Sequence, residues 1–354
     1  MMNIPSPLIY ENDKVSLIDQ RKLPLEEIYV EIESIEDCHK AIADMIVRGA
    51  PLIGFSALWG AYLWLKKTKN INQQEFMKAC TWLKTARPTA VNLAYELDCL
   101  VTHLSPLHKA EVSINDLLNS ARDFTIGRMN LLEEQNLIMA KLAEKELETI
   151  CGKKKDFRLM TICNTGYLAC GPLGTALGVV SHLHQQAKIE HVFACETRPY
   201  LQGARLTAYE LDKQEISHQL IVEGAISHVL KNEKIDAVFV GADRIARNGD
   251  TANKVGTSTL AICASFYKVP FYVVAPTSSF DIETTQGERI EIEMRDSKEI
   301  THWKGDRITS RNTVGYNPSF DVTSSQHITG IFCEKGLIRP SLGADHLVKT
   351  VKGS

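Results

Sequence analysis

The fold of this chain is decided by residues 158–186, which read RLMTICNTGYLACGPLGTALGVVSHLHQQ. The mostly apolar run at 158–162 predicts a buried strand, and the apolar segment 171–186 predicts a helix. Between them lies the short polar turn CNTG, residues 163–166. A strand that leads through a turn into a helix is the repeating unit of parallel sheets.

The same alternation continues toward the C-terminus. Further strands are predicted at 191–194, 218–221, 236–240 and 270–274. Further helices are predicted at about 203–211, 224–232 and 255–267. Alternating short apolar strands and helices indicate an α/β fold with a doubly wound parallel sheet. The segments 288–296 and 319–323 are expected to form extra or edge strands.

The first 150 residues are predicted to be mostly helical. Ser34 and Asp37 form a capping-box pattern that opens a helix through Cys38 to Val47. Apolar periodicity predicts further helices at about 51–67, 73–86, 91–105 and 114–149. Short strands are expected at 15–19 and 26–34. The charged breaker CGKKKD that follows predicts a boundary between two domains, residues 1–150 and residues 151–354.

Composition places the chain among soluble globular proteins. Of its 354 residues, 44% are hydrophobic and 23% are charged, and the net charge of −3 favours neither nucleic acid nor an anionic membrane as a partner. The long uncharged stretches 49–65 and 159–184 contain Gly and Pro, so we interpret them as buried elements rather than membrane spans. The start of the chain shows no secretory signal pattern. Nine scattered cysteines without a C-x-x-C pair fit reduced thiols in a cytoplasmic protein and argue against a zinc site.

Several ligand-binding motifs are absent from the sequence. No G-x-G-x-x-G follows a predicted strand, and no P-loop occurs, which disfavours dinucleotide and P-loop nucleotide binding. A G-x-S-x-G nucleophile elbow is also missing. The predicted sheet therefore does not indicate a dehydrogenase.

Chemically reactive side chains follow the predicted strands, where open parallel sheets bind ligands. Cys163 follows the first strand and precedes a helix, whose N-terminus would favour a thiolate, although most cysteines are simply small buried residues. Asp243 follows the fourth strand; an aspartate there is often a cap or the partner of a neighbour such as Arg244. A cysteine and an aspartate facing one sugar would suit a proton relay.

Three segments are candidates for binding a phosphate. In residues 48–51, Arg-Gly-Ala-Pro precedes a helix, so that backbone N–H groups and a cation would meet an anion there. Asn253 and Lys254, at the expected opening of another helix, offer a second polar and cationic contact, and Arg87-Pro88-Thr89 is a weaker candidate. The alternative for each is an ordinary helix start or a solvated surface cation.

Several long segments resemble the methylthioribose-1-phosphate isomerase family of methionine salvage. The wider family also includes ribose-1,5-bisphosphate isomerases and regulatory subunits of eukaryotic translation initiation factor 2B. The matching runs occur in the expected order over nearly the whole chain: RGAPLIGFSALWG (48–60), RPTAVNL (87–93), CNTG (163–166), ETRPYLQGARLTAYEL (196–211), VGADRIARNGDTANKVGT (240–257) and NPSFDVT (317–323).

The resemblance implies a fold, a reaction and a set of site residues. It implies a homodimer in which a small N-terminal domain packs on a Rossmann-like one, and a catalytic pair formed by Cys163 and Asp243. It also implies substrate contacts by Arg48, Gly49, Ala50, Arg87, Gln202, Asn253 and Lys254. The residue before the cysteine is often His in this family and is Ile162 here, an apolar neighbour that disfavours a thiolate.

The implied reaction is the isomerisation of 5-methylthio-α-D-ribose 1-phosphate to 5-methylthio-D-ribulose 1-phosphate without a cofactor. The hydrogen on C2 would reach C1 either through a proton relay or through a hydride shift, and the sequence leaves both open. Two alternatives remain: an isomerase acting on ribose 1,5-bisphosphate, and a non-catalytic regulatory subunit that binds a sugar phosphate or nucleotide. Retention of both Cys163 and Asp243 argues against the second.

Overall fold

The computed structural model describes residues 4–68, 72–88, 91–110, 112–152 and 154–353. The chain packs as two units, one formed by residues 1–137 with 165–174 and the other by residues 138–164 with 175–354. One long helix contributes residues to both units. The domain boundary expected between residues 150 and 151 stays a prediction.

A small antiparallel sheet opens the first unit. Its strands, in spatial order, are β1 (Leu8–Glu11), β2 (Lys14–Ile18) and β3 (Tyr29–Ile32). Val15 and Leu17 are buried while Lys14 and Ser16 are more exposed, as the period of a strand with one covered face requires, and Ile18 at the end of the strand is also buried. The strands expected at 15–19 and 26–34 are confirmed, the second in a shorter form.

The first helix, α1 (Ile35–Ala43), begins at the predicted capping box. The Asp37 N–H donates to Ser34 Oγ at 3.1 Å, and Ser34 Oγ donates to the Asp37 carboxylate at 2.8 Å. The prediction that this helix continues to Val47 is wrong. Met45 has φ 62°, and a residue in this left-handed conformation ends a helix.

The second helix, α2 (Ala50–Lys67), is the central element of this unit. All residues from Pro51 to Leu63 are buried, so the helix is apolar on every side, as expected of a core helix. Across the described ranges, every helix falls short of the length or the apolar content that crossing a bilayer demands.

Four more helices begin in the described part of the first unit. They are α3 (Gln73–Lys84), α4 (Val91–Lys109), α5 (Ile114–Cys151) and α6 (Tyr167–Cys170). The predicted helices at 73–86 and 114–149 agree with α3 and α5 to within two residues. By contrast, α4 continues past the expected end at residue 105 and includes Pro106.

The second unit contains the predicted parallel sheet. The strands of this unit, which belong to several sheets, are in chain order β4 (Phe157–Thr161), β5 (Ile189–Cys195), β6 (His218–Ile221), β7 (Ala237–Val240), β8 (Arg244–Ala246), β9 (Thr251–Lys254), β10 (Phe271–Val274), β11 (Phe280–Asp281), β12 (His302–Trp303), β13 (Asp306–Arg307), β14 (Phe320–Thr323), β15 (Gly330–Cys333) and β16 (Gly336–Ile338). Its helices are α7 (Ala176–Gln185), α8 (Ala208–Lys213), α9 (Ile226–Asn232), α10 (Thr257–Phe266), α11 (Lys298–Thr301) and α12 (Ala344–Lys352).

The main sheet has the order β16-β15-β10-β7-β4-β5-β6. All neighbouring strands are parallel except β16, which pairs antiparallel with β15. The chain runs outward from β4 to β6 on one side, then returns to β7 and runs outward on the other. This is the doubly wound order of Rossmann folds, so the predicted sheet is confirmed.

The helix predicted over 171–186 is confirmed as α7, but it begins later than predicted, at Ala176. Gly171, Leu173 and Gly174 have φ values of 71°, 68° and 86°, which separate α6 from α7. A residue placed at Gly174 would bring its Cβ within 2.5 Å of the Gly166 backbone, so the close approach of the two segments requires glycine. The apolar composition of this segment therefore predicted its burial correctly and the start of its helix wrongly.

A smaller sheet has the strand order β11-β8-β9-β14. The strand expected at 319–323 is confirmed as β14. The strand expected at 288–296 is wrong: a short 3-10 helix occupies Gly287–Arg289, and one isolated bridge joins Met294 to Pro318. Ile290 nevertheless belongs to a small buried cluster with Ala246 and Ala252, and Ile292 packs against that cluster.

Candidate active site

The sheet reverses its winding between β4 and β7, and two predicted residues lie just beyond these strands. Cys163 follows the end of β4 by two residues, and Asp243 follows the end of β7 by three. Because β4 and β7 are parallel, hydrogen-bonded neighbours, their carboxyl ends open on the same edge. In open α/β sheets this switch point is where ligands bind.

The backbone at Cys163 is held in an unusual conformation. Cys163 is buried and has φ 68°, in the left-handed region that non-glycine residues seldom adopt. Its N–H donates to Thr197 Oγ1 at 2.9 Å, and its carbonyl accepts from Thr207 Oγ1 at 2.5 Å. A strained backbone conformation persists where surrounding hydrogen bonds hold it in place, and such strain occurs most often at functional sites.

The residue after the cysteine joins the same network. Asn164 Nδ2 donates to Glu210 Oε1 at 2.8 Å and to Thr207 Oγ1 at 3.3 Å. All three side chains are buried. Buried polar groups that satisfy one another fix a single local geometry, so the turn after β4 is rigidly placed.

Asp243 lies in the turn between β7 and β8. Its N–H donates to the Ala252 carbonyl at 2.9 Å, which ties the turn to β9. The chain continues from Asp243 into a strand, so the alternative that this aspartate caps a helix is wrong. Arg244 Nη1 lies 3.6 Å from the Asp281 carboxylate, which gives that arginine a separate acidic neighbour.

Gln202 has an unpaired polar atom. Its side chain is 3% exposed, and among the described residues its buried Oε1 has no hydrogen-bond partner. A buried amide oxygen without a partner costs free energy, which a polar ligand atom would recover. The π-helical turn Gly203–Thr207 follows directly, and such turns are common at functional sites.

Asn253 and Lys254 end β9, so the prediction that they open a helix is wrong. Asn253 Nδ2 donates to Thr257 Oγ1 at 3.1 Å, and Lys254 Nζ lies 4.2 Å from the centroid of the Phe320 ring. Helix α10 begins only at Thr257, after Gly256 with φ 100°.

The N-terminus of α10 is already occupied by a carboxylate. Asp321 accepts from the N–H groups of Gly256 at 2.7 Å and Ser258 at 3.0 Å. Burial raises the pKa of this carboxyl to about 6, although both hydrogen bonds favour its charged form. Sequence reasoning missed Asp321, and its place in the matching run NPSFDVT was the available signal.

The remaining predicted residues lie in the first unit. Arg48 is 5% exposed, and Gly49 has φ 99° where it precedes α2. A Cβ at Gly49 would approach the Ala169 backbone to 2.6 Å, so only glycine fits there. Ala50 is the first residue of α2, whose amino end provides backbone N–H groups suited to an anion.

Arg87 contacts the segment that leads to Arg48. Its Nη1 lies 3.2 Å from Met45 Sδ. Arg48 and Arg87 therefore belong to the same part of the first unit. Thr89 of the candidate run Arg87-Pro88-Thr89 lies outside the described residues.

The second cysteine at a strand end is set in a different environment. Cys195 is completely buried, and burial raises the pKa of its thiol well above the ordinary value. The neighbouring Glu196 also has a raised pKa, because of burial and of the nearby Glu223 carboxylate. Cys195 thus fits a structural role.

Comparison with known proteins identifies the family of this chain. The chain matches the initiation factor 2 subunit family over residues 46–340. It belongs to this family. Within the initiation factor 2 subunit family, methylthioribose-1-phosphate isomerase of Natranaerobius thermophilus is 42% identical over 343 residues, which cover 95% of this chain and 96% of that protein.

Solved structures of family members share the whole fold. The 5-methylthioribose 1-phosphate isomerase from Pyrococcus horikoshii OT3 has a TM-score of 0.89 and 35% identity, covering 99% of this chain and 96% of that chain. The translation initiation factor eIF-2B subunit delta from A. fulgidus has a TM-score of 0.84 and 31% identity, covering 99% and 100%. Membership of the family is thus shown by sequence and by structure.

Proposed function

We propose that this chain is an aldose–ketose isomerase of methionine salvage, which converts 5-methylthio-α-D-ribose 1-phosphate into 5-methylthio-D-ribulose 1-phosphate. The observation that carries this proposal is the 42% identity, over nearly the full length, to a methylthioribose-1-phosphate isomerase. The position of Cys163 and Asp243 at the switch point of the sheet supports it.

The reaction requires three coupled changes in the sugar. The ring oxygen gains a proton as its bond to C1 breaks, the C2 hydroxyl loses a proton as the carbonyl forms, and the hydrogen on C2 moves to C1. We assign the protons on oxygen to Asp243 and the hydrogen on carbon to Cys163. A thiol and a carboxylate acting on one substrate divide the work as general acid and base.

The proposed substrate contacts are those that the family resemblance implies. Arg48, Gly49 and Ala50 are proposed to bind the phosphate through a cation and the backbone N–H groups at the start of α2. Further contacts are proposed for Arg87, Gln202, Asn253 and Lys254. The unpaired Gln202 Oε1 supports a hydrogen bond from a sugar hydroxyl.

The direct test is phosphorus and proton NMR of the protein mixed with 5-methylthioribose 1-phosphate. Wild type is expected to form the ribulose phosphate, and Cys163→Ser is expected to lower kcat about hundredfold or more. Cys263→Ser, which removes a partly exposed thiol on α10, serves as the matched control and should keep full activity. A folded wild type that converts no substrate would overturn the proposal.

Solvent deuterium separates the two chemical routes. Deuterium at C1 of the product would exclude a pure hydride shift, because solvent then exchanges with the transferred hydrogen. Its absence is consistent with a hydride shift and with a shielded base that returns the same proton.

The regulatory-subunit alternative is favoured by one specific observation, the likeness to the A. fulgidus eIF-2B subunit delta over the whole chain. A protein of that kind would bind a sugar phosphate or nucleotide and show no turnover. An isomerase for ribose 1,5-bisphosphate would turn over that sugar instead, so both substrates belong in the assay. We also propose that the chain acts as a cytoplasmic homodimer.

A further inference from the structure

We propose that Thr197 is a positioning residue that acts through Cys163, a role that rests on the proposed function. Its hydroxyl accepts the Cys163 N–H at 2.9 Å and donates to the Cys195 carbonyl at 3.0 Å. One side chain thereby links the turn after β4 to the end of β5. The hydroxyl uses its donor and an acceptor lone pair at once, so its orientation is fixed.

Thr197 is itself held from its other side. It is completely buried with φ 65°, and its N–H donates to the Glu223 carboxylate at 2.7 Å. A Cβ at Gly203 would come within 2.9 Å of Thr197 Oγ1 and 1.7 Å of the Cys195 carbonyl oxygen, so the hydroxyl is enclosed. The Thr197 hydroxyl therefore cannot rotate freely to another hydrogen-bond partner.

These contacts of Thr197 fix the backbone geometry of Cys163. A left-handed backbone is strained for a cysteine and needs external hydrogen bonds to persist. Thr197 binds its N–H and Thr207 binds its carbonyl, and these bonds set the direction in which the thiol leaves the backbone. Loss of the Thr197 hydroxyl leaves a buried N–H unpaired and allows the turn to relax.

Two substitutions at this position separate the hydroxyl from the volume of the side chain. Thr197→Val keeps the shape and removes the hydroxyl, whereas Thr197→Ser keeps the hydroxyl. Thr251→Val is the matched control, because Thr251 is completely buried and its Oγ1 also donates to a carbonyl two residues earlier, that of Gly249, at 3.1 Å.

The first readout is steady-state kinetics. Thr197→Val is expected to lower kcat about tenfold or more with KM changed less than about threefold, because a misplaced reacting group affects the transition state more than binding. Thr197→Ser and Thr251→Val should stay within about threefold of wild type. A large loss of kcat in a folded Thr197→Ser would overturn the role of the hydroxyl, even if the valine variant does not fold.

The second readout does not depend on turnover. The alkylation rate of Cys163 by iodoacetamide, followed by peptide mass spectrometry, is expected to rise about fivefold in Thr197→Val and to stay constant in Thr251→Val, because the released turn exposes the thiol. Unchanged alkylation together with unchanged kcat in folded Thr197→Val would overturn the proposal. Altered alkylation in a protein that lacks isomerase activity would instead uphold the positioning role and refute the proposed function.

Discussion

At the scale of single residues, Asp243 carries the most specific chemical assignment. It lies in a turn held by a backbone hydrogen bond from its N–H to the Ala252 carbonyl of β9, and an asparagine at this position keeps that bond. Asp243→Asn is therefore expected to fold normally and to lose kcat about hundredfold or more, as removal of a general acid or base does. Steady-state kinetics beside the exposed control Asp212→Asn would measure this. An active Asp243→Asn would contradict the assignment.

Gln202 is expected to lower the stability of the free protein and to favour substrate binding. Since its buried Oε1 lacks a partner among the described residues, Gln202→Leu removes an unpaired polar atom. The free energy of unfolding should stay level or rise by about 1 kcal/mol, while KM rises about tenfold through the lost substrate contact. Urea unfolding and kinetics on the same preparation test both parts. A variant with wild-type KM would exclude Gln202 from the binding site.

Gly49 is expected to tolerate no side chain. Gly49→Ala places a Cβ 2.6 Å from the Ala169 backbone at φ 99°, so the free energy of unfolding should fall by about 2 kcal/mol or more. Gly127→Ala, in the exposed interior of α5 with nothing within 4 Å of the new Cβ, should instead raise it by up to about 1 kcal/mol. Equal effects in thermal or urea unfolding would refute the steric argument.

At the scale of elements, the cap on α10 makes stability depend on pH. Burial raises the pKa of Asp321 from 3.8 to about 6, so the folded state binds this proton more tightly than the unfolded state. The contribution of Asp321 to the free energy of unfolding is therefore present below pH 4 and is lost as the pH rises to 6.

Asp321→Asn should remove this pH dependence. The difference in free energy of unfolding, variant minus wild type, is expected to increase by about 1–2 kcal/mol between pH 4 and pH 7, after allowance for partial exposure. Urea unfolding at several pH values measures it, with Asp345→Asn in the exposed first turn of α12 as the control. A difference that stays constant with pH would contradict a raised pKa in Asp321.

The strands of the main sheet could be predicted from the sequence because their signal is local. The segments predicted at 158–162, 191–194, 218–221, 236–240 and 270–274 coincide with β4, β5, β6, β7 and β10 to within a few residues. Each is a short run whose apolar character shows directly in the letters. The same local signal predicted where each strand ends, and therefore which residues belong to the candidate site.

The supports of the site could not be predicted, because they join residues far apart in the chain. Thr197 meets Cys163 across 34 positions, and Asp321 meets Gly256 across 65. Periodicity describes one element at a time and does not say which side chains meet. The positive φ angles at Leu173 and Met45 were missed for a related reason, since a non-glycine residue adopts them only under tertiary constraint.

At the scale of the whole molecule, the proposed homodimer has a simple test. Several large apolar side chains of the second unit are exposed, including Phe266 at 78% and Val222 at 55%, and burial of such surface favours association. Sedimentation equilibrium is expected to give about 79 kDa, twice the 39.5 kDa of one chain. A mass of one chain at micromolar concentration would refute the dimer.

The first unit takes one of its segments from the middle of the chain. Gln20 Nε2 donates to the Leu168 carbonyl at 2.7 Å, and Asn136 Nδ2 donates to that of Cys170 at 3.0 Å. During synthesis the amino-terminal helices must therefore wait for residues 165–174 to leave the ribosome before their packing is complete. Until then the surface beside Gly49 is open, and chaperones or proteases encounter an unfinished core rather than a folded domain.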